Sequence, residues 1–239
     1  MIRVQDIKLN LNEELSLLPE KIAKKLKIKT SDILEYRIFK EAIDARKKKD
    51  IKLVYTVDVA TTKDKQLLAK MPELKWESMA YVCPIKGNQW LKHRPVIVGS
   101  GPCGLFAALI LAQEGFKPIV LERGKTVDAR VEDVEHFWQT GSFDPTSNVQ
   151  FGEGGAGTFS DGKLTTQIKN KRCHKVLEEM VKAGAPDNIL YKNKPHVGTD
   201  ILRDVVKNIR ETIIELGGEY RFESQVTDIE YEHGEVKAV

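Results

Sequence analysis

Gly99-Ser100-Gly101-Pro102-Cys103-Gly104 sets three glycines at the spacing GxGxxG, and Glu122 stands at the end of the next apolar run. Alone this spacing is a weak signal, but its context is specific. "VIV" before it reads as a short buried strand, and "GLFAALILA" after it reads as an apolar helix. In that setting Gly99 permits the tight turn, Gly101 lets a pyrophosphate approach the backbone, and Gly104 lets helix and strand pack closely. The helix start offers free amides and a partial positive charge to phosphates. Ala108 and Gly115 continue the pattern into a second strand, "PIVLE", whose Glu122 is placed to bond the ribose hydroxyls of an adenine nucleotide. An acid there favours a free 2′-hydroxyl, hence FAD or NAD over NADP, with Arg123 the one feature pointing the other way.

A second glycine-rich stretch, "NVQFGEGGAGTFSDGKL" from Asn148 to Leu164, carries five glycines between Phe151 and Gly162. It is punctuated by Phe151, Thr158, Phe159, Asp161 and Lys163, unlike a featureless serine-rich linker. Bare backbone of this kind serves a turn or the close approach of a ligand. About 25 residues without a clear sheet pattern separate Glu122 from this stretch, where a plain NAD-binding unit leads promptly into another helix and strand. A large flat ligand accounts for that design.

The elements that must position these residues follow from periodicity. Residues 2–10 read as a strand and "EELSLLPEKIAKKL" as an amphipathic helix. "EYRIFKEAI" and "IKLVYTVDV" flank the polar "DARKKKD" as a hairpin, and "KDKQLLAKM" then "ELKWESMAYV" suggest a further helix and strand. The order βαββαβ is that of a ferredoxin-like α+β sandwich over residues 1–82, followed by a linker at 83–94 containing Pro84 and Gly87. From Pro95 to residue 239 the pattern is that of a Rossmann-like parallel sheet. "CHKVLEEMVKAGA" and "DILRDVVKNIRETIIELGG" read as helices, and "EYRFESQVTDIEYEHGEVKAV" as strands turning at His233 and Gly234.

The longest apolar run is far shorter than the roughly 20 residues of a membrane helix, so no membrane role is expected. Cys83, Cys103 and Cys173 form neither an even set nor a CxxC pair, which fits a reducing cytoplasm. His136, His196 and His233 lack metal-ligand spacing, so no metal is expected. Residues 1–93 hold 20 basic against 13 acidic side chains, and residues 94–239 hold 18 against 22. A basic leading part raises an RNA-binding module as an alternative, disfavoured because the glycine-and-aromatic strand pattern of such modules is missing. Cys103 at a helix start reads as packing, since a bound pyrophosphate would cover it.

The Gly99 to Gly124 segment, with its "ERG" ending, resembles the FAD-binding half of the two-dinucleotide-binding flavoprotein superfamily that includes glutathione reductase. The basic leading domain, this fingerprint and "FGEGGAGTFSDGKL" together are similar to a bacterial family of predicted FAD-dependent dehydrogenases. The resemblance implies an FAD oxidoreductase moving hydride or electrons, with NAD(P)H as a possible donor and a small-molecule substrate or electron carrier as partner. The alternative is an NAD-binding dehydrogenase or sensor fragment without flavin. By the resemblance, Gly99, Gly101, Pro102, Cys103, Gly104, Glu122, Arg123 and Gly124 hold the adenine nucleotide half. Gly154, Gly155, Ala156, Gly157 and Thr158 give close backbone contact. Asp161, Gly162 and Lys163 lie near the flavin, Lys163 tuning its charge, and Val226 meets adenine. The later strand and "GD" motif of such flavoproteins are absent, so the chain is expected to be the N-terminal portion of a larger protein.

Overall fold

Ile2, Val4, Ile7 and Leu9 are all buried along β1 (Ile2–Asn10), although strict alternation would turn Asp6 inward after Val4. A bulge between Val4 and Ile7, with Asp6 at φ 52°, absorbs the extra residue and returns the apolar side chains to one face. The computed structural model describes residues 1–84, 87–88, 91–166, 168 and 170–239. The chain divides into two units: Met1–Tyr81 with Thr165–His174 and Asp187–Pro195, and Val82–Leu164 with Lys175–Pro186 and His196–Val239. Residues 85–86 and 89–90 of the expected linker lie outside the described residues.

In the first unit, α1 (Leu18–Leu26) brings Leu18, Ile22 and Leu26 onto one stripe, i, i+4 and i+8, and ends where Lys27 turns left-handed. β2 (Ile33–Asp44) and β3 (Lys52–Thr61) form the expected antiparallel hairpin, and the sheet order is β1-β3-β2. Tyr55, Val57 and Val59 of β3 meet α1 and Leu67 of α2 (Asp64–Lys70) in one apolar core. On β3 between two of these residues, Asp58 is buried and held by Arg3 at 2.6 and 3.0 Å and by the Trp76 indole at 3.0 Å.

The expected strand over 73–82 does not form. Pro72 lacks an amide and opens a single 3-10 turn to Leu74, and Lys75 alone bridges to Ile2. The indole of Trp76 is drawn to Asp58. Among its described residues the unit has three strands, and the fourth of the anticipated sandwich is reduced to one bridge.

The second unit is built on a parallel sheet of β4 (Val96–Val98), β5 (Ile119–Leu121) and β6 (Glu219–Arg221), in that order. α3 (Pro102–Gln113) links β4 to β5 and buries Leu105, Ala108, Leu109 and Ala112. α6 (Thr199–Glu215) precedes β6 and buries Val205, Val206, Ile209 and Ile213, its i, i+1, i+4, i+8 stripe. At the starting ends of the strands Arg94 donates to the carbonyls of Lys117, Pro118 and Gly217 and pairs with Glu219 at 2.8 Å.

Two differences from the sequence reading matter for the site. The stretch between Glu122 and the second glycine run is no structureless span: α4 (Val127–Thr140) fills most of it, capped by Thr126 and buried along Val127, Arg130 and Val134. The argument for a flat ligand from a missing helix therefore falls. Residues 222–229 form no strand; β7 (Glu230–Glu232) and β8 (Glu235–Ala238) make a separate exposed hairpin turning at His233 and Gly234. Both carry positive φ, as a tight hairpin turn requires. α5 (Lys171–Lys182) buries Glu179 and Met180, with Lys175 and Lys182 each 2.7 Å from the Glu179 carboxylate. Among the described residues no helix is long and apolar enough to cross a membrane.

Candidate functional site

The fingerprint turn leaves β4 at Gly99, whose amide donates to the Leu121 carbonyl at 2.7 Å and so prolongs the β4–β5 ladder by one bond. Gly101 is the N-cap of α3, and Pro102 takes the first helical position, where a missing amide is harmless. No side chain caps this helix, so the amides of its first turn are left to water or a ligand.

The glycines of the fingerprint have separate duties. A Cβ on Gly104 would sit 1.9 Å from the Gly99 carbonyl oxygen, so only glycine lets α3 lie this close to the turn. A Cβ on Gly101 would meet nothing within 4 Å. The space beside Gly101 is open, which is what close approach of a phosphate to its backbone requires. Cys103, the second residue of the same helix, is exposed.

Glu122 directly follows β5 and is only 3% exposed. One carboxylate oxygen accepts from the Ser100 amide at 2.6 Å and the other from the Gly124 amide at 2.7 Å. The acid thus holds two turns in shape, and each oxygen keeps one lone pair for a further donor. Arg123 points elsewhere, with its guanidinium 3.9 Å from the centroid of the Phe151 ring. Gly124 passes so close to Gly152 that a Cβ would lie 2.8 Å from the Gly152 Cα.

The second glycine run folds against the first. The Gly154 amide donates to the Ser100 carbonyl at 2.9 Å, and a Cβ on Gly155 would lie 3.1 Å from Pro102 Cδ. Gly155 to Phe159 make a 3-10 turn in which Ala156 is exposed and Thr158 is buried, its hydroxyl donating to the Gly155 carbonyl at 2.9 Å. Much of this bare backbone serves the protein itself, because Gly154 and Gly155 have positive φ and Gly162 abuts the Val197 carbonyl. Gly157 is the exception: its φ is ordinary, and a Cβ would have Leu202 at 3.9 Å as its nearest neighbour.

Asp161 and Lys163, expected near a flavin, are exposed and pair with each other at 2.5 Å. That pair holds the Asp161 carboxyl below, and the Lys163 ammonium above, their usual ranges. Val226 is half-buried in coil, so the expected strand around it is corrected here.

Sequence reasoning missed Arg130 and Glu153. Arg130 is wholly buried, and its guanidinium donates to the carbonyls of Asn148, Val149, Glu153 and Gly155 and to the Thr158 hydroxyl. Burial pushes this guanidinium down to about 10, against the nearby carboxylates of Glu122 and Glu153. One side chain from α4 thereby gathers the carbonyls of the whole loop. The Glu153 side chain is also fully buried; one oxygen accepts from the Val127 amide at 2.7 Å and faces Arg210 at 3.0 Å, while Oε1 has no partner. Ser100 Oγ is buried as well, beside the buried Tyr220 hydroxyl, with which it interacts. A signal for Arg130 existed, since it shares the i, i+3, i+7 stripe of Val127 and Val134.

This arrangement fits a bound dinucleotide. It offers an uncapped helix start, a glycine with free space and a carboxylate with spare lone pairs at the neighbouring strand end. No cluster of metal-binding side chains occurs among the described residues.

Two family models match the chain. Residues 1–60 match the family described as Domain of unknown function (DUF8436), and residues 93–131 match the family described as FAD binding domain. A protein of Clostridium beijerinckii described as uncharacterized is 52% identical over 241 residues, an alignment covering 100% of this chain and 45% of that protein. The chain thus spans a little under half the length of this relative. The match over 93–131 takes in the fingerprint, α3, β5 and Glu122, and it supports a flavin-binding domain in the part of the chain where the open turn lies.

Proposed function

We propose that residues 95–239 form the FAD half-site of a flavin-dependent oxidoreductase. The observation that carries this reading is the uncapped start of α3 beside an unobstructed Gly101, with the Glu122 carboxylate at the end of the adjacent parallel strand. The FAD binding domain match over 93–131 supports it. In this reading the amides of Cys103 and Gly104 and the open backbone at Gly101 receive the pyrophosphate. Glu122 offers its free lone pairs to ribose hydroxyls. Arg130 holds the glycine loop in the shape that adjoins this turn.

When bound, the flavin would supply hydride or electron transfer, while the chain supplies binding, orientation and electrostatics. NAD(P)H as donor and a small-molecule substrate or electron carrier as partner belong to the same proposal for the whole protein, which would act in the cytoplasm. Residues 1–82 would be a ferredoxin-like unit with a vestigial fourth strand, joined through a linker at 83–94.

The test is titration of the purified chain with FAD and, separately, with NAD. Saturable FAD binding with a visible flavin spectrum, and weaker NAD binding, is the expected result. Binding of NAD without FAD would replace the flavin reading by that of a nicotinamide site.

A further inference from the structure

Beside the glycine loop, and wholly within the second unit, lies a pocket of about 230 Å³. Three helices wall it, with Phe106 among the residues from α3, Met180 from α5, and Leu202 and Val206 from α6, and Gly154 and Gly157 line its loop side. Every side chain that these helices contribute is apolar. Polar groups occur only with Ser160 and Lys163, and the Lys163 ammonium is engaged by Asp161. Away from Ser160 and Lys163 such a lining rejects charge, because nothing there would replace the lost hydration.

Gly157 adds an independent observation. Its backbone conformation is one that any residue adopts, and its Cβ position is free of close contacts, so neither turn geometry nor packing demands a glycine there. A larger side chain would extend toward Leu202, into the pocket. Apolar cavities of about 150 Å³ lined by Leu, Ile and Phe stay dry and take up benzene. The pocket here is larger, opens to solvent on one side, and is apolar along its helical walls. Unfilled apolar space weakens a fold, which gives a bound guest a favourable role.

The geometry points to a binding site for a small uncharged apolar molecule, of one or two fused rings or an alkyl group of the same bulk. Shape and dispersion would hold it, with no ion pair. The inference stands on this pocket and does not rest on the flavin reading.

The experiment uses toluene as the probe and the intact chain as the protein, with saturation transfer from protein to probe read by NMR. Wild-type chain is expected to show saturable transfer. Gly157→Leu is expected to weaken toluene binding by about tenfold or more while circular dichroism stays unchanged, and tenfold is about 1.4 kcal/mol. Val206→Phe fills the pocket from α6, so a folding defect in either variant leaves the other to decide. Absence of saturable transfer in the wild-type chain would overturn the assignment, and so would undiminished binding in a folded filled variant. With FAD added to saturation, persistence of toluene binding supports a separate site; its loss would give the pocket to the cofactor and overturn the proposal. Toluene binding in a chain that fails to bind FAD would sink the flavin reading alone.

Discussion

The Gly154 amide donates to the Ser100 carbonyl at 2.9 Å, joining the two glycine runs through backbone alone. Because the Ser100 amide ends on the Glu122 carboxylate at 2.6 Å, one residue ties the end of β5, the fingerprint turn and the loop together. The site is thus assembled from three separated stretches of chain, and substitutions should sort by which tie they break.

Gly101 and Gly104 should respond in opposite ways. Gly104→Ala forces a Cβ against the Gly99 carbonyl and should destabilise the second unit by about 3 kcal/mol. Gly101→Ala enters open space and should leave stability within about 0.5 kcal/mol while weakening FAD binding. Denaturant midpoints and FAD titrations on the two variants separate the effects; a destabilised Gly101→Ala would show that its side is occupied by protein.

Gly155 and Gly157 also part company, although the sequence alone gives both the same duty. Gly155 has φ 65° and lies against Pro102, so Gly155→Ala should cost about 1 to 2 kcal/mol even without a ligand. Gly157→Ala should be close to neutral in stability. Equal melting temperatures for the two would contradict the loop conformation described above.

Glu122→Gln should harm the protein itself before it harms ligand binding. An amide has one oxygen for two backbone donors, so its NH₂ must face either the Ser100 or the Gly124 amide. The loss expected is about 1 to 3 kcal/mol, from one unsatisfied buried donor. Calorimetric unfolding of the ligand-free chain measures it, and an unchanged melting temperature would mean the carboxylate lies elsewhere.

Arg130→Met keeps the apolar stem and removes all the guanidinium donors, stranding several loop carbonyls in a buried setting. Destabilisation of about 3 kcal/mol is expected. Limited proteolysis should then cut first within residues 148–158. Cleavage elsewhere first would show that the loop holds its shape without this side chain.

Glu153 gives a pH signature. Burial pushes its carboxyl above the ordinary value of 4.5, despite the Val127 amide and Arg210. A carboxyl that binds its proton more tightly in the folded than in the unfolded chain stabilises the fold at low pH and loses that contribution as pH climbs through the raised value. Glu153→Gln abolishes this dependence. Wild-type stability measured against that variant should therefore fall as pH rises above 4.5, read from denaturant midpoints across the range. Parallel pH curves for the two proteins would refute it.

The fingerprint was legible because each residue type there answers a local demand: a turn at Gly99, a close crossing at Gly104, a helix start at Pro102. Helices α1 and α6 were legible from their apolar stripes. What periodicity could not show was a charge used as core. Arg130 occupies a buried position of α4, in the stripe of Val127 and Val134, where an apolar pattern shows a gap. The strand expected at 73–82 failed for a different reason, since Pro72 and the indole of Trp76 impose local geometry that composition does not reveal. The duties of the loop glycines depend on neighbours far along the chain, Pro102 for one and Val197 for another, and no spacing rule reaches them.

Arg94 gives the second unit a division of labour between its two rims. Its guanidinium bonds the chain just before β5 and β6 and pairs with the first residue of β6, so strand register is locked at the rim away from the fingerprint. The turns at the opposite rim are thereby relieved of aligning the sheet. Outside the fixed crossing at Gly104 and the ties of Glu122, ligand preference could be re-engineered there while the parallel strands stay in step.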